Sequence, residues 1–151
     1  MPDRILRTSA GVLGGLIIIL GLTYTWLGIT WLISPTPTRL AGIEWAPISA
    51  HTVGVWWITG GLVALIGGTW SARPVVAGIG ASAAILTPAV AAGLFLVSVW
   101  HGNDRGLITA GSYMPYALIA AWVTWRSGRA SEDTARAIAA TARHDPQEDR
   151  V

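Results

Sequence analysis

The chain has no cysteine and no lysine. Without cysteine there are no disulfides, thiolate metal sites or cysteine nucleophiles, and the redox compartment stays open. All ten basic residues are arginine. Charge as a whole is scarce: 12% of residues carry it, against about 25% in a soluble domain. The interiors of the four long apolar stretches hold no Asp, Glu, Lys, Arg or His, and His51 stands only at the mouth of the second. Ion-coupled pumps and transporters usually carry such residues within the membrane as relays, so their absence argues against that class. A pI near 9.7 rests on a net charge of only +2. No basic cluster with interleaved aromatics accompanies it, so nucleic acid is not an expected partner.

What the chain does have is apolar length. Its 151 residues suffice for one domain, and 52% are hydrophobic. Uncharged runs at about residues 10–33, 48–70, 74–100 and 107–125 read as four spanning helices. The third, Pro74 to Trp100, is 27 residues long. As a helix it rises about 40 Å, more than a hydrocarbon core of about 30 Å. A secretory signal peptide is the rival reading of the first run. That run is long for an h-region, and no A-x-A-like site follows it. The expected fold is therefore all-α: an integral membrane four-helix bundle with a short polar C-terminal tail.

The links sharpen this picture. Pro35 and Pro37 stop the first helix, and Leu40, Ile43 and Trp45 make the rest of that link amphipathic enough to rest in the interface. Ser71-Ala72-Arg73 is so short that spans two and three must form an antiparallel hairpin, with Pro74 suited to the first helical turn. Pro88 removes the hydrogen bond to the carbonyl of Ala84, which predicts a kink. From Arg126 to Val151 the composition turns polar and alanine-rich. Ser131 could cap a helix there, with Glu132 and Asp133 in its first turn. Such a helix is too short to stand alone in water, so a partly ordered tail is expected. No internal sequence repeat stands out.

Arginine placement sets the expected orientation. Arg4, Arg7, Arg73, Arg126 and Arg129 fall on one side, and only Arg39 and Arg105 on the other. Both termini should be cytoplasmic, in a multi-pass protein of the cell membrane. Trp31, Trp45 and Trp100 would anchor the outer interface, with Tyr113 beside them. Trp70, Trp122 and Trp125 would anchor the inner one. The third span also sorts its residues by size. Ala77, Gly80, Ala81, Ala84, Pro88, Ala91 and Ala92 share one side, and Val75, Ile79, Leu86, Val90 and Val97 the other. Small faces let helix backbones approach closely in lipid, so this face is expected to be the packing seam.

Candidate chemistry is sparse. Gly78 to Ala83 matches G-x-G-x-x-A, but a dinucleotide fingerprint needs a preceding strand, and this match lies inside an apolar span. Ser98, His101 and Asp104 recur at three-residue spacing without an oxyanion motif. Glu44, His51, His101 and Asp104 fall on the outer side but come from different links, with no H-x-x-E-type pair. The expectation is a protein without catalytic site, metal or cofactor. Its partners would be the lipid bilayer and either a second copy of the chain or another membrane protein.

The hydropathy profile of residues 10–125, the arginine-only basic content, the Ala, Gly and Trp richness and the charged tail together resemble small four-span membrane proteins of actinobacteria and their phages. Some phage proteins of that shape are holins, which assemble in the cytoplasmic membrane and open it for lysis. The resemblance thus implies a holin-like activity beside the reading drawn from the residues, a membrane scaffold or accessory subunit. A carrier or oxidoreductase subunit similar to the four-span DoxX type is a third alternative. The resemblance includes no motif and assigns no residue a role.

Overall fold

The computed structural model describes the backbone of residues 2–143 and the side chains of residue 11 and residues 13–140. The described residues form five helices and no strand: α1 (Pro2–Ile33), α2 (Pro37–Ala41), α3 (Ala50–Thr69), α4 (Pro74–Trp100) and α5 (Gly106–Arg143). Among these, α1, α3, α4 and α5 are long and apolar enough to cross a membrane, the architecture of a multi-pass membrane protein. They stand antiparallel in a ring, α1 packed most extensively on α3 and α4 on α5, with α3 against α4 closing the centre.

Local chemistry sets the helix ends. The Ser49 side chain accepts a hydrogen bond from the Thr52 N–H at 3.1 Å, satisfying one of the orphan donors of the first turn. It therefore starts α3 at Ala50 and not at Ile48. Pro37, expected only to stop the first helix, also opens α2 at a position that needs no N–H. The turn from α4 to α5 uses Gly102 at φ 90°, a left-handed conformation that side chains with a Cβ rarely adopt.

Two expectations about the chain's course need correction. First, α5 does not stop near Trp125 but runs unbroken to Arg143. Ser131 is no N-cap: it lies inside the helix and donates its hydroxyl to the Ser127 carbonyl at 3.1 Å. The physical reason is nucleation. A free helix must form its first turn at a cost, whereas this segment simply propagates from a turn already made. Alanine favours the propagation, and Arg136 adds exposed pairs with Glu132 at 3.5 Å and Asp133 at 3.4 Å, worth a few tenths of a kcal/mol each. Residues 144–151 of the expected tail lie outside the described residues. Second, the link after α1 does not lie flat as an interfacial segment. Ile43 is buried in the core, and Gly42 sits directly on the Phe95 ring, where any Cβ would collide. The link plugs the end of the bundle.

The closest backbone approaches belong to α1 and α3. Gly14, Gly21 and Gly28 recur every seven residues on α1; Gly54, Gly61 and Gly68 do so on α3. Seven residues are nearly two full turns, so each set forms one row. The rows face each other in antiparallel order. A Cβ at Gly14 would stand 2.9 Å from the Gly68 carbonyl oxygen, one at Gly21 2.8 Å from that of Gly61, and one at Gly28 2.7 Å from that of Gly54. No real Cβ is accommodated at such distances. A second face of α3 carries Gly60 against Thr87 and Gly67 against Gly80.

On α4, Gly80, Ala81, Ala84, Pro88, Ala91 and Ala92 are buried and Ala77 is half-buried. Val75, Ile79, Leu86 and Val90 are exposed, and Val97 is half-buried. Opposite them α5 buries Ala110, Tyr113, Ala117 and Ala120, at the alternating three- and four-residue spacing of a heptad seam.

These contacts give a graded expectation. Gly21→Ala or Gly61→Ala should destabilise the protein by about 1–3 kcal/mol through overpacking. Gly15→Ala, where nothing lies within 4 Å, should be neutral or slightly stabilising. Gly80→Leu and Ala84→Leu should cost more than Leu86→Ala. Unfolding in mixed detergent micelles measures this, and equal tolerance at Gly61 and Gly15 would contradict the seam.

Candidate functional site

The interior of the bundle is organised around Pro88. Proline has no N–H, so the carbonyl four residues earlier, that of Ala84, loses its helical donor. The hydroxyl of Tyr24, from α1, donates to that carbonyl at 2.9 Å. Tyr24 is fully buried. Near the same break, the Trp56 indole N–H points at the Thr87 carbonyl at 3.5 Å, a marginal length for a hydrogen bond.

Tyr24 also heads a column of rings. It stands edge-on to Trp57, with centroids 5.3 Å apart, and to Tyr116 at 6.5 Å. Trp57 lies 5.3 Å from Tyr113, and Tyr113 5.7 Å from Phe95. The column draws one or two rings from each long helix and ends where Gly42 of the plug rests on Phe95. Edge-to-face aromatic pairs contribute about 0.5–1.5 kcal/mol each beyond their area. The sequence pattern placed Tyr113 near the outer interface; the structure buries it in this column.

Trp31 is likewise not an interfacial anchor. It is 1% exposed, because it lies on the same face of α1 as Ile17, Leu20, Tyr24 and Gly28. Its buried indole N–H makes no hydrogen bond of ordinary geometry among the described residues. Arg39 folds down over it, 5.4 Å from the ring centroid, and donates to the Thr30 hydroxyl at 2.9 Å. The other tryptophans named from the sequence remain outside. Trp70, Trp100, Trp122 and Trp125 are exposed, and Trp45 is half-buried. Three of them carry an arginine on the ring: Arg73 on Trp70 at 5.4 Å, Arg126 on Trp122 at 5.6 Å and Arg129 on Trp125 at 4.2 Å.

The polar residues at the α2 end pair with backbone, with one another and with a ring. The Ser98 hydroxyl donates to the Phe95 carbonyl at 2.7 Å and accepts from the Asn103 amide at 3.1 Å. It meets Asn103 and not His101. His101 instead stacks flat on Trp45, centroids 5.0 Å apart, tying the plug to the α4–α5 turn. Glu44 and His101 share a cavity of about 280 Å³ with Trp45, Ser98 and Asn103. Two such ligands fall short of the three that a catalytic zinc takes from protein. Among the described residues no three of His, Asp and Glu come together, so Glu44, His51, His101 and Asp104 are not one site. Gly78 to Ala83 lies wholly within α4, without the strand a dinucleotide site requires. The arrangement holds helices together, and its hydroxyls are spent on carbonyls and caps.

Comparisons with protein-family models, with curated proteins and with solved structures gave no match.

The Pro88 arrangement makes a sharp prediction. Tyr24→Phe should cost about 1–2 kcal/mol by orphaning the Ala84 carbonyl. In a Pro88→Ala background, where the substituted alanine would supply the missing N–H, the same change should cost within about 0.5 kcal/mol. A double-mutant cycle in detergent unfolding reads this coupling; additive losses would contradict it.

Proposed function

We propose that the chain is a non-catalytic scaffold or accessory subunit of the cytoplasmic membrane, with both termini inside, and that the extension of α5 is its docking arm. One observation carries this reading: the last helix of the bundle continues unbroken beyond it. Inside the bundle the small faces are already used on one another, Gly14, Gly21 and Gly28 against Gly68, Gly61 and Gly54, and Gly80 against Gly67. Among the described residues no Asp, Glu, Arg or His is buried. Beyond Arg126 the same α5 continues to Arg143, roughly 27 Å of helix at 1.5 Å per residue, with exposed Arg136, Glu132 and Asp133. The orientation draws support from the stacked pairs of Arg73, Arg126 and Arg129 with tryptophan at one end. At the other end Arg39 is folded onto Trp31 and Thr30. The larger number of arginines thus lies at the Arg73 end, the side that the positive-inside rule assigns to the cytoplasm.

A second reading, a holin-like protein that self-associates and opens the membrane, has its own observation. One face of α1 has no partner: Gly11 and Gly15 have nothing within 4 Å, and Leu22, Trp26 and Ile33 on that face are 58%, 66% and 79% exposed. Gly-x-x-x-Gly is a recurrent pairing surface for membrane helices. The buried face of α4, by contrast, is spent within the chain.

Photocrosslinking in intact cells separates the two. A photoreactive side chain substituted at Ala139 should capture one discrete membrane protein other than the chain itself, with growth unaffected. Self-adducts alone from a probe at Trp26, with collapse of the membrane potential on induced expression, would overturn the scaffold reading in favour of the second.

A further inference from the structure

At the Arg73 end, the seam between α4 and α5 opens. The heptad positions of α5 continue past Ala120 to Thr124, Ser127 and Ser131, but α4 begins only at Pro74. The gap is a cavity of about 430 Å³ that reaches Leu13 of α1. Its wall is small where it could have been filled: Gly78 and Gly128 line it, and nothing lies within 4 Å of a Cβ on either. Deeper in, Ala77, Ala81 and Leu13 make it apolar. Nearer the mouth, Thr124 and Ser131 donate to carbonyls of their own helix. The hydroxyls of Ser71 and Ser127 have no partner among the described residues.

Glu132, which follows the lining residue Ser131, is paired with Arg136 at 3.5 Å. Among the described residues no charged side chain lines the cavity. Arg73 sits between Ala72 and Pro74, both of which do, and its guanidinium rests on the exposed Trp70 ring. Arg73 is also the N-cap of α4 and makes no side-chain capping bond. The free N–H groups of that first turn add to the positive potential. A free phosphate would leave the apolar depth empty. A zwitterionic headgroup would find no carboxylate for its ammonium.

We propose that this cavity binds an anionic phospholipid. Its phosphodiester lies against Arg73, Ser71 and the start of α4, and an upper acyl chain enters between Gly78 and Gly128. Basic pockets between membrane helices on the cytoplasmic side recognise such lipids, and on the proposed orientation this is the cytoplasmic leaflet. The site depends on the chain crossing a bilayer, not on the docking role of α5.

Native mass spectrometry of the full chain, released from detergent after incubation with dioleoyl-phosphatidylglycerol or dioleoyl-phosphatidylcholine, tests this. Phosphatidylglycerol should be retained and phosphatidylcholine stripped. Gly78→Leu and Gly128→Leu, which fill the cavity from opposite helices, should each abolish retention. Arg73→Gln should weaken it about fivefold, the value of one surface arginine near an anionic leaflet. Gly93→Leu, on open α4 surface outside the cavity, should leave it unchanged. Equal retention of both lipids, or full phosphatidylglycerol retention in whichever filled variant remains helical and monodisperse, would overturn the proposal.

Discussion

One missing proton organises the interior. Pro88 sits midway along a helix long enough to span a bilayer, where neither lipid nor water is at hand to satisfy the carbonyl it frees. An unpaired peptide group in hydrocarbon costs several kcal/mol. The Tyr24 hydroxyl fills that place from another helix at 2.9 Å. To do so the ring must lie in the middle of the bundle, and there it becomes the head of an aromatic column reaching Trp57, Tyr113 and Phe95. A local backbone defect is thereby converted into a contact that fixes the register of α1 against α4.

Close packing elsewhere is what permits this. With glycine at each crossing of α1 and α3, those helices nearly touch through their backbones, and the rings of Tyr24, Trp57, Tyr113 and Phe95 occupy the space left between α1, α3, α4 and α5. Small residues set the helix spacing, and these four rings fill the one wide region. The middle of the bundle is thus filled by rings drawn from all four long helices. Its features open to partners are at the periphery: the unpartnered face of α1, the cleft at Arg73, and the helix that continues beyond Trp125.

Much of this was legible in the sequence, and the failures have physical causes. Uncharged length alone marked the four long helices, and the covalent chemistry of Pro88 identified the Ala84 carbonyl as the group left without a donor. That the donor is Tyr24 could not be read, because sixty residues separate them and only the packing of α1 on α4 joins them. The glycine rows are half legible: a repeat of seven is visible in Gly14, Gly21 and Gly28, but its meaning requires the matching row of Gly54, Gly61 and Gly68. Trp31 and Tyr113 illustrate a different limit. Position along a helix gives depth, whereas rotation about the axis decides between core and surface. The length of α5 is not legible in its last segment, whose own propensity says nothing of a turn already built before it.

The direct test is of the Tyr24 hydroxyl itself. In proton NMR of the detergent-solubilised full chain, that hydroxyl should appear as a slowly exchanging resonance with cross-peaks to Ala84 and Pro88, since a proton held on a buried carbonyl is shielded from water. A Tyr24 hydroxyl that exchanges at the rate of a free phenol, with no cross-peak to α4, would contradict the account.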